Sequence, residues 1–139
     1  MFSKIAVCTD GSASASRAVD TAADLARQHD SELVLLSAFK GGDRGGRGDL
    51  AEVQWASSDA ARVREILSRA ESTLRKQGIE CASRVDEGDP ADVLVRLATE
   101  CGADLLVIGN KGMQRRVLGS VPNSVTHKAP CSVLVVKTT

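Results

Sequence analysis

The sequence predicts an α/β domain in three layers, a five-stranded parallel sheet with helices on both faces. Three observations carry this. Short apolar runs alternate along the chain with segments whose apolar residues recur at helical spacing. Two of those runs, 33–39 with Ser37 as its one polar residue and 105–108, are almost continuously apolar, as strands covered on both faces are. Glycine and other turn residues sit where the runs end.

Residues 4–8 form the first predicted strand, with Thr9-Asp10-Gly11-Ser12 as its exit turn. Residues 14–29 follow as a helix. Ala18, Val19, Ala22, Leu25 and Ala26 fall on one of its faces. Most of these are small, so the helix can lie close to a sheet. Ser12, Ser14 and Ser16, early in this segment, suit capping roles. Residues 33–39 are the second strand. Residues 40–58 change character: Gly41, Gly42, Gly45, Gly46 and Gly48 with interspersed charges predict a flexible loop. Within it, 50–55 suggests a short ordered patch with Trp55 packed back onto the body.

Residues 59–77 make the clearest helix, with Val63, Ile66, Leu67, Ala70 and Leu74 on one face and Gly78 at its C-terminal cap. Residues 79–86 alternate and read as a strand, placing Ile79, Cys81, Ser83 and Val85 on one side. Asp89 and Pro90 then open a helix, as N-cap and first-turn residue. It buries Val93, Leu94, Leu97 and Ala98 and stops at Gly102. A central strand, 105–108, leads through a glycine-rich stretch to a short helix, 120–128. Ala129-Pro130 breaks that helix before a last strand, 132–136. Strand–helix alternation of this kind implies parallel pairing, with ligands held beyond the carboxyl ends of the strands. Asp10, Ala38, Gly88 and Gly109 all fall there.

The 139 residues suit one domain with a real core. Lysine plus arginine balance aspartate plus glutamate at 18 each, which argues against a general nucleic-acid surface. Aromatic residues are limited to Phe2, Phe39 and Trp55, too few for a base-stacking platform. No run approaches the roughly 18 apolar residues of a membrane span. The N-terminus lacks a signal-peptide layout because a strand starts at once, so a cytoplasmic location is expected. Cys8, Cys81, Cys101 and Cys131 form no CxxC or Cys/His cluster, so they read as small core residues rather than zinc ligands. His29 and His127 have no evident carboxylate or nucleophile partner.

The stretch 104–120, DLLVIGNKGMQRRVLGS, carries the densest chemistry. An apolar run ends at Gly109. Gly112, the cations Lys111, Arg115 and Arg116, and then Gly119-Ser120 follow. Glycines at a strand end let a backbone approach a ligand and offer its N–H groups. Ser120 is placed to cap a helix whose N-terminus attracts anions. Together these describe a phosphate site. Competing readings stay open. Gly109 and Gly112 also suit a tight turn after a buried strand. Asp10 can accept hydrogen bonds from a ligand or brace its own loop, and Gly88 suits a turn first. The three cations suit a solvated face as well as phosphate oxygens. The chain has no GxxxxGK[ST] loop, no GxGxxG fingerprint and no defensible Ser/His/Asp set. Enzymatic turnover is therefore not expected, beyond at most a slow, incidental ATPase.

On these residues the chain resembles the universal stress proteins. KIAVCTDGSASASRAVDTAADLA is similar to that family's first strand and helix. EGDPADVLVRLATECGADLLVIGNKG and LGSVPNSVTHKAPCSVLVVK are similar to its third-strand exit through fourth strand and to its closing helix and strand. Only 40–58 is unplaced. The resemblance implies the adenine nucleotide alpha hydrolase-like fold and a regulatory role in stress response. In the ATP-binding members, Gly, two residues and Gly are followed by nine residues and then Gly with Ser or Thr. Gly109, Gly112, Gly119 and Ser120 fit this pattern, but only six residues, 113–118, separate the later pair. The missing three correspond to about 10 Å of extended chain, so the loop reaches less far around phosphates.

Carried over residue by residue, the resemblance implies Asp10 near adenine or ribose and Ala38 against adenine. It puts Gly109 and Gly112 near the ribose and α-phosphate, and Gly119, Ser120 and Val121 near the outer phosphates. Arg115 and Arg116 could pair with phosphate oxygens from the shortened loop. The implied ligand is ATP, with Mg2+ in that case, or AMP or cyclic AMP. A homodimer is expected through the apolar edge strand 132–136. The alternative function is a dimeric interaction module of the same fold that binds no nucleotide.

Overall fold

The computed structural model describes residues 2–39, 50–110 and 120–138, and for 50–59 the backbone alone. Five strands and four helices alternate in order: β1 (Lys4–Cys8), α1 (Ala13–His29), β2 (Glu32–Phe39), α2 (Leu50–Lys76), β3 (Cys81–Glu87), α3 (Pro90–Glu100), β4 (Leu105–Gly109), α4 (Ser120–Lys128) and β5 (Ser132–Val136). The sheet order is β3-β2-β1-β4-β5, and every pairing is parallel. The direction of winding reverses at β1, so the exits of β1 and β4 flank a crevice.

Strand alternation divides the core into two halves. Ile5 and Val7, Leu33 and Leu35, and Leu105 and Val107 face α1 and α2. Ala6 and Cys8, Val34 and Leu36, and Leu106 and Ile108 face α3 and α4. Both sides of the central strands are therefore dry, which is why those runs are apolar but for Ser37 near the end of β2. The buried face of α1 consists of Ala15, Ala18, Val19, Ala22, Ala23 and Ala26. Without long side chains as spacers, this helix packs closely on β1 and β4.

The helix starts follow the local chemistry expected of them. Ser12 caps α1, its side chain accepting from the Ala15 N–H at 3.1 Å. Asp89 caps α3 by accepting from the Asp92 N–H at 3.3 Å, with Pro90 in the first turn. Ser120 is itself the first residue of α4, one place later than a capping position. The predicted loop over 40–58 requires correction, because α2 begins at Leu50 and its 27 residues take in 50–58. The glycine run stops at Gly48, and the Leu-Ala-Glu-Val-Gln stretch beyond it has good helix propensity. The expected packing of Trp55 lies outside the described side chains. β3 starts at Cys81 rather than 79, while Ile79 is buried beneath the α1–α2 side.

The two sheet edges differ. On β3, Arg84, Asp86 and Glu87 are exposed, and Arg96 of α3 pairs with Asp86 at 2.7 Å and with Glu100 at 3.2 Å. Charge of this kind blunts an edge. On β5, Val133, Leu134, Val135 and Val136 are half-buried and Ser132 alone is exposed.

Asp30 ends α1 in the left-handed region, at φ 54° and ψ 46°, and is the only described non-glycine residue with positive φ. Its carboxylate also stands at the negative end of the helix dipole. Asp30→Gly removes both penalties and is expected to raise unfolding stability by about 0.5–1 kcal/mol. Urea denaturation of both proteins checks this, and an unchanged or lower midpoint contradicts it.

Candidate functional site

A cleft of about 530 Å³ opens at the carboxyl edge of the sheet. It lies within the usual size range for a small-molecule site. Its walls come from the exits of β1, β2 and β4 and from the first turns of three helices. Cys8, Thr9 and Asp10 follow β1, Ser37 and Ala38 end β2, and Ile108 and Gly109 end β4. Ser14 and Ala15 begin α1, Pro90 and Leu94 belong to α3, and Ser120, Val121 and Pro122 begin α4. Parallel topology gathers these helix N-termini on one side, where their free N–H groups and dipoles favour an anion.

Of the nine residues singled out from the sequence, Asp10, Ala38, Gly109, Ser120 and Val121 line this cleft together. Gly112, Arg115, Arg116 and Gly119 lie outside the described residues, as does Lys111. Asp10 is exposed, and its Oδ1 accepts the Ser12 N–H at 3.0 Å, so its carboxylate braces the β1 exit while standing at the cleft. Gly11, beside it, has φ 82°, and a Cβ there would come within 2.7 Å of the Ile66 side chain, so the turn requires glycine. Gly88 is a turn residue with φ 141° whose N–H donates to the Phe39 carbonyl at 2.8 Å. It does not line the cleft.

Cys8 and Asp10 are the ionisable groups among the described lining residues. Burial pushes the Cys8 thiol up to about 12. It therefore stays protonated at neutral pH and acts as a small apolar surface. A magnesium ion finds one carboxylate here, against the larger oxygen set it prefers, so the described lining does not by itself make a metal site. No group of three or more His, Cys, Asp or Glu able to hold a metal occurs among the described residues. What does fit is a ligand with a flat apolar part against Ala38, Leu94, Pro90 and Ile108 and an anionic part toward the helix starts.

The polar anchor beside this cleft carries no sequence motif. Asn110 directly follows β4 and is 1% exposed. Its Oδ1 accepts both the backbone N–H of Thr138, at 2.9 Å, and the Thr138 hydroxyl, at 2.7 Å. Its own N–H donates to the Val136 carbonyl at 3.0 Å. Thr138 in turn hydrogen-bonds Ser14, and its carbonyl accepts from Arg17 at 3.3 Å. The residues beyond β5 are thereby tied to the exit of β4 and the start of α1. A polar residue closing a wholly buried strand was the available signal, but its partner lies 28 positions away.

An open parallel sheet with a polar-rimmed cleft over its carboxyl edge makes this an α/β protein, and its structural neighbours have the adenine nucleotide alpha hydrolase-like fold. The family model described as "Universal stress protein family" matches residues 1–137, and the chain belongs to that family. A universal stress protein of Mycobacterium tuberculosis is 39% identical over 147 residues, covering 99% of this chain and 98% of its own. A universal stress protein crystallised in complex with cAMP has a TM-score of 0.77 and 33% identity, covering 99% of this chain and 98% of that one. Another, from Archaeoglobus fulgidus in complex with dAMP, has a TM-score of 0.73 and 29% identity, covering 97% and 98%. Members of the family are generally regulatory or nucleotide-binding proteins.

Removing the buried amide is expected to cost more than an ordinary surface substitution. In Asn110→Ala two buried donors of Thr138 lose their acceptor, and stability should fall by about 2–3 kcal/mol. Denaturant unfolding measures the loss, and hydrogen exchange should show the Thr138 amide losing protection. A change below about 0.5 kcal/mol, the range of neutral surface changes, contradicts the assignment.

Proposed function

We propose that the cleft binds an adenine mononucleotide, AMP or cyclic AMP, and that the protein acts as a nucleotide-responsive regulator in stress response rather than as an enzyme. The observation that carries this is the meeting of Asp10, Ala38, Gly109, Ser120 and Val121 around one cleft at the carboxyl edge. Adenine lies against Ala38 and the apolar wall. Asp10 accepts from a ribose hydroxyl or an amino group. Backbone N–H groups at Ser120 and Val121, with the Ser120 hydroxyl, meet the phosphate at the start of α4. Gly112, Arg115, Arg116 and Gly119 complete the phosphate side in this reading.

Two relatives above 25% identity support the ligand class, one crystallised with cAMP and one with dAMP. The six residues between Gly112 and Gly119 favour a mononucleotide over ATP, since a shorter loop spans less of a triphosphate. Magnesium would enter only with a di- or triphosphate. The four free cysteines suit a reducing, cytoplasmic setting. The regulatory step is a shift in conformation on binding, read by a partner through the rim of the cleft.

Calorimetric titration with AMP, cyclic AMP and Mg2+-ATP tests this reading. The mononucleotides should bind the wild type and bind at least about tenfold less tightly to Ala38→Phe, which fills the apolar wall, and to Gly112→Val. Equal binding by wild type and both variants would remove the site. Silence with all three ligands would favour the interaction module that binds no nucleotide.

The same reading includes a homodimer formed through β5. Its support is the contrast of edges, charged on β3 and apolar on β5. Light scattering at micromolar concentration should give twice the chain mass for the wild type. Val135→Lys, which puts a cation on the pairing edge, should give the mass of a single chain. A wild-type monomer rules the dimer out.

A further inference from the structure

We infer that Ser14 reads the nucleoside part of the ligand as a hydrogen-bond acceptor, its own proton being held internally by Thr138 and Asn110. This rests on the nucleotide-binding reading of the cleft and assigns one residue within it.

A backbone amide fixes the direction of the relay. The Thr138 N–H is a donor whatever its surroundings, so the Asn110 atom it meets at 2.9 Å is the amide oxygen. That fixes the orientation of a side chain amide that is otherwise ambiguous. An amide oxygen can only accept, so the Thr138 hydroxyl, 2.7 Å from the same atom, donates to it. The Thr138 hydroxyl has a single proton and has now used it. In its hydrogen bond with Ser14 it must accept, and Ser14 donates. Ser14 therefore turns lone pairs, not its proton, toward the cleft it lines.

A serine in the first turn of a helix beside an anion site would ordinarily be taken as a donor to phosphate. Here that role would place two acceptors face to face unless the whole relay reversed, and the Thr138 N–H prevents reversal at Asn110. The partner of Ser14 is instead a hydroxyl or amino hydrogen on the ribose or adenine. Its position agrees with this. The Ser14 hydroxyl oxygen lies 3.4 Å from where a Cβ on Gly109 would stand, which sets it at the end of β4, on the strand-end side of the cleft. Phosphate is left to the start of α4 across the cleft.

Titrating adenosine and AMP into wild type, Ser14→Ala, Thr138→Val and Thr138→Ser tests the assignment. Ser14→Ala should weaken both ligands by the same factor, roughly three- to tenfold. Thr138→Val, which frees the Ser14 proton, should weaken both to a similar extent, and Thr138→Ser should restore them. Thermal unfolding of each variant separates loss of fold from loss of contact. Unchanged affinities in Ser14→Ala overturn the inference. So does a loss confined to AMP, which would make Ser14 a phosphate donor. A wild type that binds none of adenosine, AMP and cyclic AMP overturns the underlying nucleotide reading, while one that binds cyclic AMP alone overturns only the assignment of Ser14, and both outcomes are visible before any variant is compared.

Discussion

The constraint on which the rest of this structure depends is that all five strands run the same way. Each strand must return to the same end of the sheet through a crossover, and the crossover is a helix running antiparallel to the strands. Every helix therefore begins at the edge where strands end. The cleft exists because that edge also contains the reversal of winding between β1 and β4. Its character is set at the same time. Strand ends contribute small and apolar residues, while helix starts contribute N–H groups and dipole. A cleft built this way is asymmetric before any particular side chain is considered.

Asn110 turns that geometry into a fixed site. Parallel pairing of β4 with β5 brings Gly109 beside Val136, so the residues just past both strands meet at the crevice. One buried amide oxygen then holds the Thr138 amide and hydroxyl together. Unmade hydrogen bonds at such a buried point cost more than made ones contribute, so alternatives are suppressed more strongly than the native arrangement is favoured. The polarity of Ser14 follows from this small network. A hydroxyl is free to donate or accept in isolation, and only an unambiguous donor further along the chain removes the choice.

Most of the architecture was legible because its causes are local. Continuous apolar runs identified β2 and β4 as central, and Asp89-Pro90 marked the start of α3 because capping acts within one turn. The alanines of α1 marked a close-packed face. Asp10, Ala38 and Gly109 were traceable to one edge because strand ends can be read from turn residues, whereas Ser120 was read as a helix start and Val121 followed from the family resemblance. The start of α2 was misread because glycines over 41–48 masked the helix-forming stretch after them. The Asn110–Thr138 anchor was not legible, since a hydrogen bond across 28 positions leaves no periodicity or composition to detect. Thr138 lies beyond the predicted last strand, and only the register of β5 against β4 brings it to Asn110.

The two edges complete the logic of the fold. An open sheet leaves two rows of unpaired backbone groups, and both must be blocked or used. β3 is blocked: Arg96 bridges Asp86 and Glu100, and exposed charges alternate along the strand. These surface pairs contribute little to stability, but they make pairing with another strand unfavourable. β5 has no such guard. Val133 and Val135 rest on the α3–α4 side and Leu134 and Val136 on the α1–α2 side, all of them half-covered. The same β5 continues into Thr138, the residue locked to Asn110 at the cleft. Any contact that orders this edge therefore acts on a chain segment whose far end is hydrogen-bonded to Ser14 of the cleft wall. Edge and cleft are joined by two residues of backbone.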